Sequence, residues 1–552
     1  MERKLPWILI ALLTVVYGFS IIAKDFFIAD WFTTDDAFYY FKVAENIVSG
    51  LGSTFDGISK VNGYHPLWLL VLVPIFFLSG SEQFMQLRSV MIFQYLLSIG
   101  MVWIFYHYLR KWISAQSSFL IALLWIFYFP FFATLTNGTE SLLNAFALTL
   151  FWVIYNQNIS SDRWEMDHQG IIQIGLTALL LVFSRLDNVF ILIVFGVWLC
   201  YKFLTDVKWK ISLKAIVELA KLEILYFGPT TLLLGIYLLV NKLTIGTFMP
   251  LSGQIKRYWG SFPDSNYGSK VAGIGSYLGE FFSENINIGP FSLFLNPIYS
   301  LMDKLSVSYF YGTKSLSLGL IVVFLLFVLM GYLVGRKEDL TLKLVDRWSL
   351  IPLSLAVILH VSYYKLGGYL APRSWYWILE AFLILLILGV VIEALFASLQ
   401  DWSLTKSPIL AYVLVLFLSV LVLIPHAEQI SRKLTSTVSS QHQYIQKTRW
   451  LEENTESGTT IGMTGAGTTS YFIDDRVIMN LDGLMNGLVY FLDLQDNQAV
   501  DYLKEHQVEY IFGNDYIMLD TEPYRSNFRE ILKKSDVLDT YDDKLVLWKL
   551  NY

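Results

Sequence analysis

Long apolar runs bracketed by charge constrain this chain more than any other feature of its sequence. Runs able to cross ~30 Å of hydrocarbon lie near 5–23, 87–109, 117–135, 140–155, 188–204, 222–240, 316–335, 349–365, 375–396 and 408–425, with a shorter one at 170–184. In lipid each backbone polar group must be satisfied internally, so these runs are expected to be helices. Composition points the same way, because 55% of the residues are hydrophobic and only 16% charged, against ~25% charged in soluble domains. The expected fold is therefore an α-helical polytopic membrane protein with about eleven spans. Cys200 is the single cysteine and falls inside an apolar run, which leaves no disulfide framework or thiolate metal site within one chain. No small-residue cleavage site follows the first run, so it is read as an uncleaved first helix.

The segment Pro66 to Gly80 has Pro74 inside it and falls short of the ~20 residues a span needs, so it is read as a re-entrant or interfacial helix. Positive-inside counting supports that reading. With Met1 cytoplasmic and 66–80 not crossing, Arg110-Lys111, the cluster Lys202, Lys208, Lys210, Lys214 and Lys221, and Arg336, Lys337, Lys343 and Arg347 all fall inside. Two long loops, roughly 24–86 and 241–315, then share the outer face with the C-terminal tail. The expected location is the cell inner or plasma membrane, and the expected division is a transmembrane part, 1–425, and an extracytoplasmic domain, 426–552.

That tail has a different character. Strand-like runs at Thr460-Ile-Gly-Met, Arg476-Val-Ile-Met-Asn, Glu509-Tyr-Ile-Phe and Leu545-Val-Leu-Trp alternate with helical stretches such as 497–505, which predicts a small α/β domain. Gly465-Ala-Gly467 follows the first strand, but the third glycine of a nucleotide loop is missing, and a plain strand-to-helix turn is the preferred reading.

Asp35 and Asp36 follow Thr33-Thr34 and open a helix with Phe38, Phe41 and Ile47 on one face. One acid suffices for an N-cap, whereas two adjacent acids at the membrane boundary repel each other without structural return. Catalysis or metal binding is therefore expected of the pair, and burial near lipid would raise one carboxyl toward a useful general base. The loop continues through glycines to Asn62-Gly-Tyr64-His65-Pro-Leu-Trp68, where Tyr64 and Trp68 can lie at headgroup level. His65 is either a chemical group or a hydrogen-bonding one at the loop–helix junction. Glu140, in the tight outer turn Thr136-Asn-Gly-Thr-Glu140, comes to the same face and depth as the acid pair. Carboxylates from separate helices are what deprotonating an alcohol, or holding a divalent cation between Asp36 and Glu140, would need.

Arg185 and Asp187 occupy the outer apex of a hairpin whose first arm is short, so the apex is expected to be recessed in the membrane. An arginine there either pairs with Asp187, snorkels to the interface or contacts a phosphate. Lys256 and Arg373 are further cations on the same face, placed among aromatics that anchor interfaces. Together the three basic residues could surround a lipid phosphate, with His65, Tyr64 and Asp187 as candidate substrate-binding residues.

A first helix leading to Thr-Thr-Asp35-Asp36-Ala-Phe-Tyr-Tyr, a glycine-punctuated loop closing on Gly63-Tyr-His-Pro-Leu-Trp68, and a second acid in the next outer turn resemble the GT-C superfamily of integral membrane glycosyltransferases. The likeness is to bacterial members such as the aminoarabinose transferase, the protein O-mannosyltransferases and the arabinofuranosyltransferases. Met479-Asn-Leu-Asp-Gly-Leu484 is similar to the soluble portion of some bacterial members. The resemblance implies a donor sugar on a polyprenyl phosphate and an inverting single displacement onto a glycan, lipid or protein hydroxyl outside the cytoplasm. It implies that Asp36, or Asp35, corresponds to the catalytic acid and Glu140 to the second acidic position. A divalent cation is either present or unnecessary, and no nucleic acid is expected as a partner. A polytopic transporter or flippase of lipid-linked saccharide is the rival reading, although transporters place sites at the midplane whereas these charges gather at one face.

Overall fold

The computed structural model of the chain describes residues 4–32, 34–159, 168–210, 212–265, 335–401, 409–437 and 443–552, with short pieces at 267–268, 289–290, 292–294 and 331–332. Among the described residues, five helical segments are long and apolar enough to cross a membrane: Gln83–Leu109, Leu186–Asp206, Leu213–Thr244, Ser374–Ser398 and Tyr412–Thr435. Two bent pairs, Ala115–Phe127 with Phe129–Leu135 and Glu338–Arg347 with Leu350–Leu366, bring the number to seven if each is one span. The first pair breaks where Pro130 sits at the start of its second half, a position at which proline's missing N–H is harmless. The larger total expected from sequence counts in addition Leu5–Ile21, Ser141–Ile159 and His168–Ser184, together with 316–335, which lies almost wholly outside the described residues. The chain is a multi-pass membrane protein.

Small residues set the helix spacing. A side chain at Gly175 would place its Cβ 2.6 Å from the Leu225 carbonyl oxygen, so helix His168–Ser184 meets helix Leu213–Thr244 backbone to backbone. Close approach of this kind is how helices associate in lipid, where burial of apolar surface gives no net drive. Helix Pro66–Ser79 begins on a proline, keeps Pro74 inside and ends at Gly80, whose φ of 74° suits only glycine. At 14 residues it is too short to cross, and it packs on the helix Asp35–Val48 that carries the acid pair.

The C-terminal domain is a five-stranded mixed sheet in the order β2-β1-β3-β5-β4, with β1 Thr460–Met463, β2 Val477–Asn480, β3 Val508–Asn514, β4 Asp536–Tyr541 and β5 Leu545–Lys549. β1 pairs parallel with both β2 and β3, and β5 runs antiparallel between β3 and β4. Strands β1, β2, β3 and β5 coincide with the four runs anticipated from sequence. β4 was not anticipated, because Asp536-Val-Leu-Asp-Thr-Tyr541 is an exposed edge with no buried alternation. The helix of the last apolar run continues to Thr435, beyond the expected boundary at 426.

Two interlocks join this domain to the membrane part. Asp35 accepts from the Gly467 and Thr468 N–H groups at 2.9 and 2.7 Å and from the Thr468 hydroxyl at 2.8 Å. Gly467 has to be glycine, since a Cβ there would lie 2.2 Å from the Asp35 carbonyl oxygen. On the opposite side, a Cβ on Gly63 would lie 2.1 Å from the Leu484 carbonyl oxygen, so the first long loop and the Asp482–Met485 turn are in direct backbone contact.

Candidate active site

The helix Asp35–Val48 is capped by Thr34, whose hydroxyl accepts from the Asp36 N–H at 3.4 Å, so neither aspartate is needed as its cap. Asp35 caps a helix all the same, the short Gly467–Phe472 helix that lies 432 residues further on. Asp36 points elsewhere. One helical turn on, Tyr39 and Tyr40 share its face, and all three line a cavity with Gly63, His65, Thr139, Glu140, Arg185, Ser252, Lys256, Trp375, Tyr376, Leu484 and Met485.

Among the described residues the Asp36 carboxylate has no hydrogen-bond donor. Burial pushes its carboxyl up to about 6, opposed by Lys256, reinforced by Asp35, opposed again by Arg373 and reinforced by Asp482. Glu140 is held in the opposite manner, receiving Arg185 at 2.5 Å on Oε1 and the Tyr40 hydroxyl at 2.9 Å on Oε2. Two acids of similar sequence context thus have different environments. Asp36 is free to take a proton, whereas both Glu140 oxygens are already held by donors.

The cations are organised on one aromatic ring. Arg185 lies 4.5 Å and Lys256 4.9 Å from the Tyr376 ring centroid, and Lys256 donates to the Tyr376 hydroxyl at 2.5 Å. Arg185 is 2% exposed and also forks onto Asp187, with Nε to Oδ1 at 3.2 Å and Nη2 to Oδ2 at 2.8 Å. Asp187 therefore stands behind Arg185 and is not at the cavity wall. Arg373 is exposed at the edge and acts on Asp36 through its field.

His65 offers Nδ1 to the Leu186 N–H at 3.4 Å, with Nε2 3.6 Å from Glu140. Burial lowers its proton affinity, so the ring is neutral at pH 7. Tyr64 pairs with Ser53 at 2.6 Å inside the loop and does not line the cavity. Tyr39 reaches the other way, donating to Asp482 at 3.0 Å, and Asp482 also receives the Gly465 and Leu484 N–H groups. Sequence reasoning missed Tyr39 and Tyr40 although both were in view. Their spacing of three and four residues from Asp36 is the signal that could have found them. Ser252, Trp375, Tyr376, Leu484 and Met485 carry no such signal, because each arrives from a distant segment.

This donor set fits a divalent cation poorly. Both Glu140 oxygens are already engaged, Arg185 and Lys256 supply positive charge at the same place, and no group of three or more metal-ligating side chains occurs among the described residues.

With this geometry in hand, the chain superposes on the oligosaccharyltransferase of Archaeoglobus fulgidus in its apo form, with a TM-score of 0.54 over 94% of this chain and 70% of that one, at 11% sequence identity. It has the GT-C fold. A looser likeness, with a TM-score of 0.48 at 10% identity, extends over 98% of this chain and 97% of ArnT from Cupriavidus metallidurans bound to undecaprenyl phosphate. Residues 432–547 match a family described as a domain of unknown function, DUF8728. No curated protein matches the sequence. Asp36, Glu140, Arg185 and Lys256 line one cavity beside Leu484 and Met485, while Asp35 is turned to Gly467 and Thr468 and Arg373 lies outside the lining.

Proposed function

We propose that the protein is an inverting glycosyltransferase that moves a sugar from a polyprenyl-phosphate donor to an acceptor hydroxyl on the extracytoplasmic side. One observation carries the reading: a carboxylate, Asp36, without a hydrogen-bond donor among the described residues and pushed up to about 6 by burial, across a cavity from two cations stacked on one tyrosine. A general base works best with a pKa near ambient pH, and a departing phosphate needs fixed positive charge. In the proposed step Asp36 takes the acceptor O–H proton while that oxygen bonds to the anomeric carbon. The bond from that carbon to the phosphate oxygen breaks with its electron pair going to the phosphate, which leaves as the polyprenyl phosphate. Arg185 and Lys256 offset the growing charge, with Arg373 guiding the phosphate at the edge, and Glu140 holds Arg185 in place. His65, neutral, steadies the hairpin apex that carries Arg185 by accepting from the Leu186 N–H. Asp35 acts as the pin for the C-terminal domain.

The test is sugar transfer by the purified protein in lipid vesicles supplied with polyprenyl-phosphate sugars, read as release of polyprenyl phosphate. Transfer by the native chain and its loss in Asp36→Asn are expected. Undiminished release in that variant would overturn the assignment of the base, and movement of lipid-linked saccharide between leaflets without release would favour a flippase.

A further inference from the structure

Behind the cavity lies a line of buried side chains that the proposed step leaves unused. His360 and Glu380 sit on the neighbouring helices Leu350–Leu366 and Ile378–Asp401, exposed by 3% and 0%. The imidazole bridges two carboxyl groups, with Nδ1 2.7 Å from Glu380 Oε1 and Nε2 3.2 Å from Asp187 Oδ2. Asp187 already accepts both Arg185 fork bonds and the Tyr364 hydroxyl at 2.6 Å, so it is an acceptor only, and Nε2 must carry a hydrogen.

A buried polar network inside a membrane is costly to keep, and here its outer end is the guanidinium that faces the cavity. Two of the donor atoms of Arg185 are spent on Asp187 and one on Glu140, which fixes the plane of the fork over Tyr376. The direction of Asp187 is in turn set by His360 together with Tyr364, and that of His360 by Glu380. Outer partners that orient a ligating group act in the same way around metal sites.

We propose that His360, backed by Glu380, is a positioning residue that acts through Asp187 to hold Arg185 for the donor phosphate. The inference rests on the donor reading above. His360 itself touches no substrate. Its role requires a hydrogen-bond donor at the place of Nε2 and nothing else of the ring.

The experiment compares binding of undecaprenyl phosphate with binding of the neutral undecaprenol to the full chain in nanodiscs. The native chain should prefer the phosphate. His360→Leu, which has no donor, should lose about tenfold in phosphate affinity, the scale on which outer partners act, with undecaprenol binding unchanged. His360→Gln, whose amide can reach Asp187, should stay within roughly threefold of native, because it restores the one hydrogen bond required. A native preference retained in full by His360→Leu, or equal losses for phosphate and alcohol, would overturn the proposal. If the native chain does not distinguish phosphate from alcohol, the donor reading fails and the proposal fails with it. Should His360→Leu not fold, Glu380→Leu gives the second test. It removes the acceptor that orients the His360 ring, which a glutamine oxygen would still supply, so a loss confined to the phosphate supports the proposal and an unchanged preference overturns it.

Discussion

Asp36 and Asp35 differ by one residue in position and by everything else in environment. Asp35 has three hydrogen bonds from Gly467 and Thr468, and Asp36 has none among the described residues. Asp36→Asn should therefore lower transfer by roughly 10²–10⁴-fold, the usual share of a positioned general base. The native rate should fall as pH drops through about 6, where the base becomes protonated. Stability should move in the other direction. An acid whose folded pKa lies above its unfolded value of 3.8 contributes fully below that value and loses its contribution as pH rises through about 6. Asparagine mimics the protonated form at every pH. Thermal unfolding in detergent should thus find Asp36→Asn equal to native near pH 4 and more stable at pH 7.5, by about 1–2 kcal/mol once solvent screening of the half-buried group is allowed for. A variant that is at once inactive and more stable is hard to explain by structural damage. Equal stability at both pH values would remove the evidence that burial tunes this carboxyl.

At the scale of elements, the helix Asp35–Val48 works as a two-sided part, with Asp35 pinned to the C-terminal domain and Tyr40 to Glu140. Asp35→Ala should destabilise the protein by about 1–2 kcal/mol, as the loss of a helix cap does. It should also reduce transfer far less than Asp36→Asn does, and parallel measurement of melting and activity separates the two roles. Gly467→Ala should reproduce the Asp35 phenotype or exceed it, because its Cβ would meet the Asp35 backbone at 2.2 Å. This division of labour was only half legible in the sequence. Charge counting predicts Asp36, Glu140, Arg185 and Lys256 on one face, but their meeting in one cavity comes from helix packing that no local pattern encodes. The pairing of Asp35 with residues 432 positions away has no local signature, nor has the arrival of Tyr376 beneath both cations. Strand recognition shows the same limit. β1 and β3 are apolar runs that announce burial, whereas β4 is exposed along almost its whole length and forms because β5 offers it a free edge.

For the whole molecule, the interlocks convert a sequence argument about sidedness into a structural constraint. Asp36 lines the cavity together with Leu484 and Met485 of the C-terminal domain, and Gly63 touches Leu484 by its backbone. The acid pair, the first long loop and the C-terminal domain therefore lie on one side of the membrane, whichever side that is. Positive-inside counting assigns the opposite side to Lys202, Lys208 and Lys210 at the end of helix Val189–Asp206. A donor on a polyprenyl carrier presented outside the cell is usable only if the first group faces outward. In a Cys200→Ser background, cysteines placed at the exposed positions Glu505 and Lys210 should label differently with an impermeant maleimide. Position 505 should react in intact cells or spheroplasts, and position 210 only after lysis. The reverse pattern would put the cavity in the cytoplasm, where water-soluble nucleotide sugars are the available donors. Arg185 and Lys256 would then have to be reread as contacts to a nucleotide-linked phosphate. Because the interlocks forbid moving the C-terminal domain without the acid pair, one labelled position decides the side for the whole site.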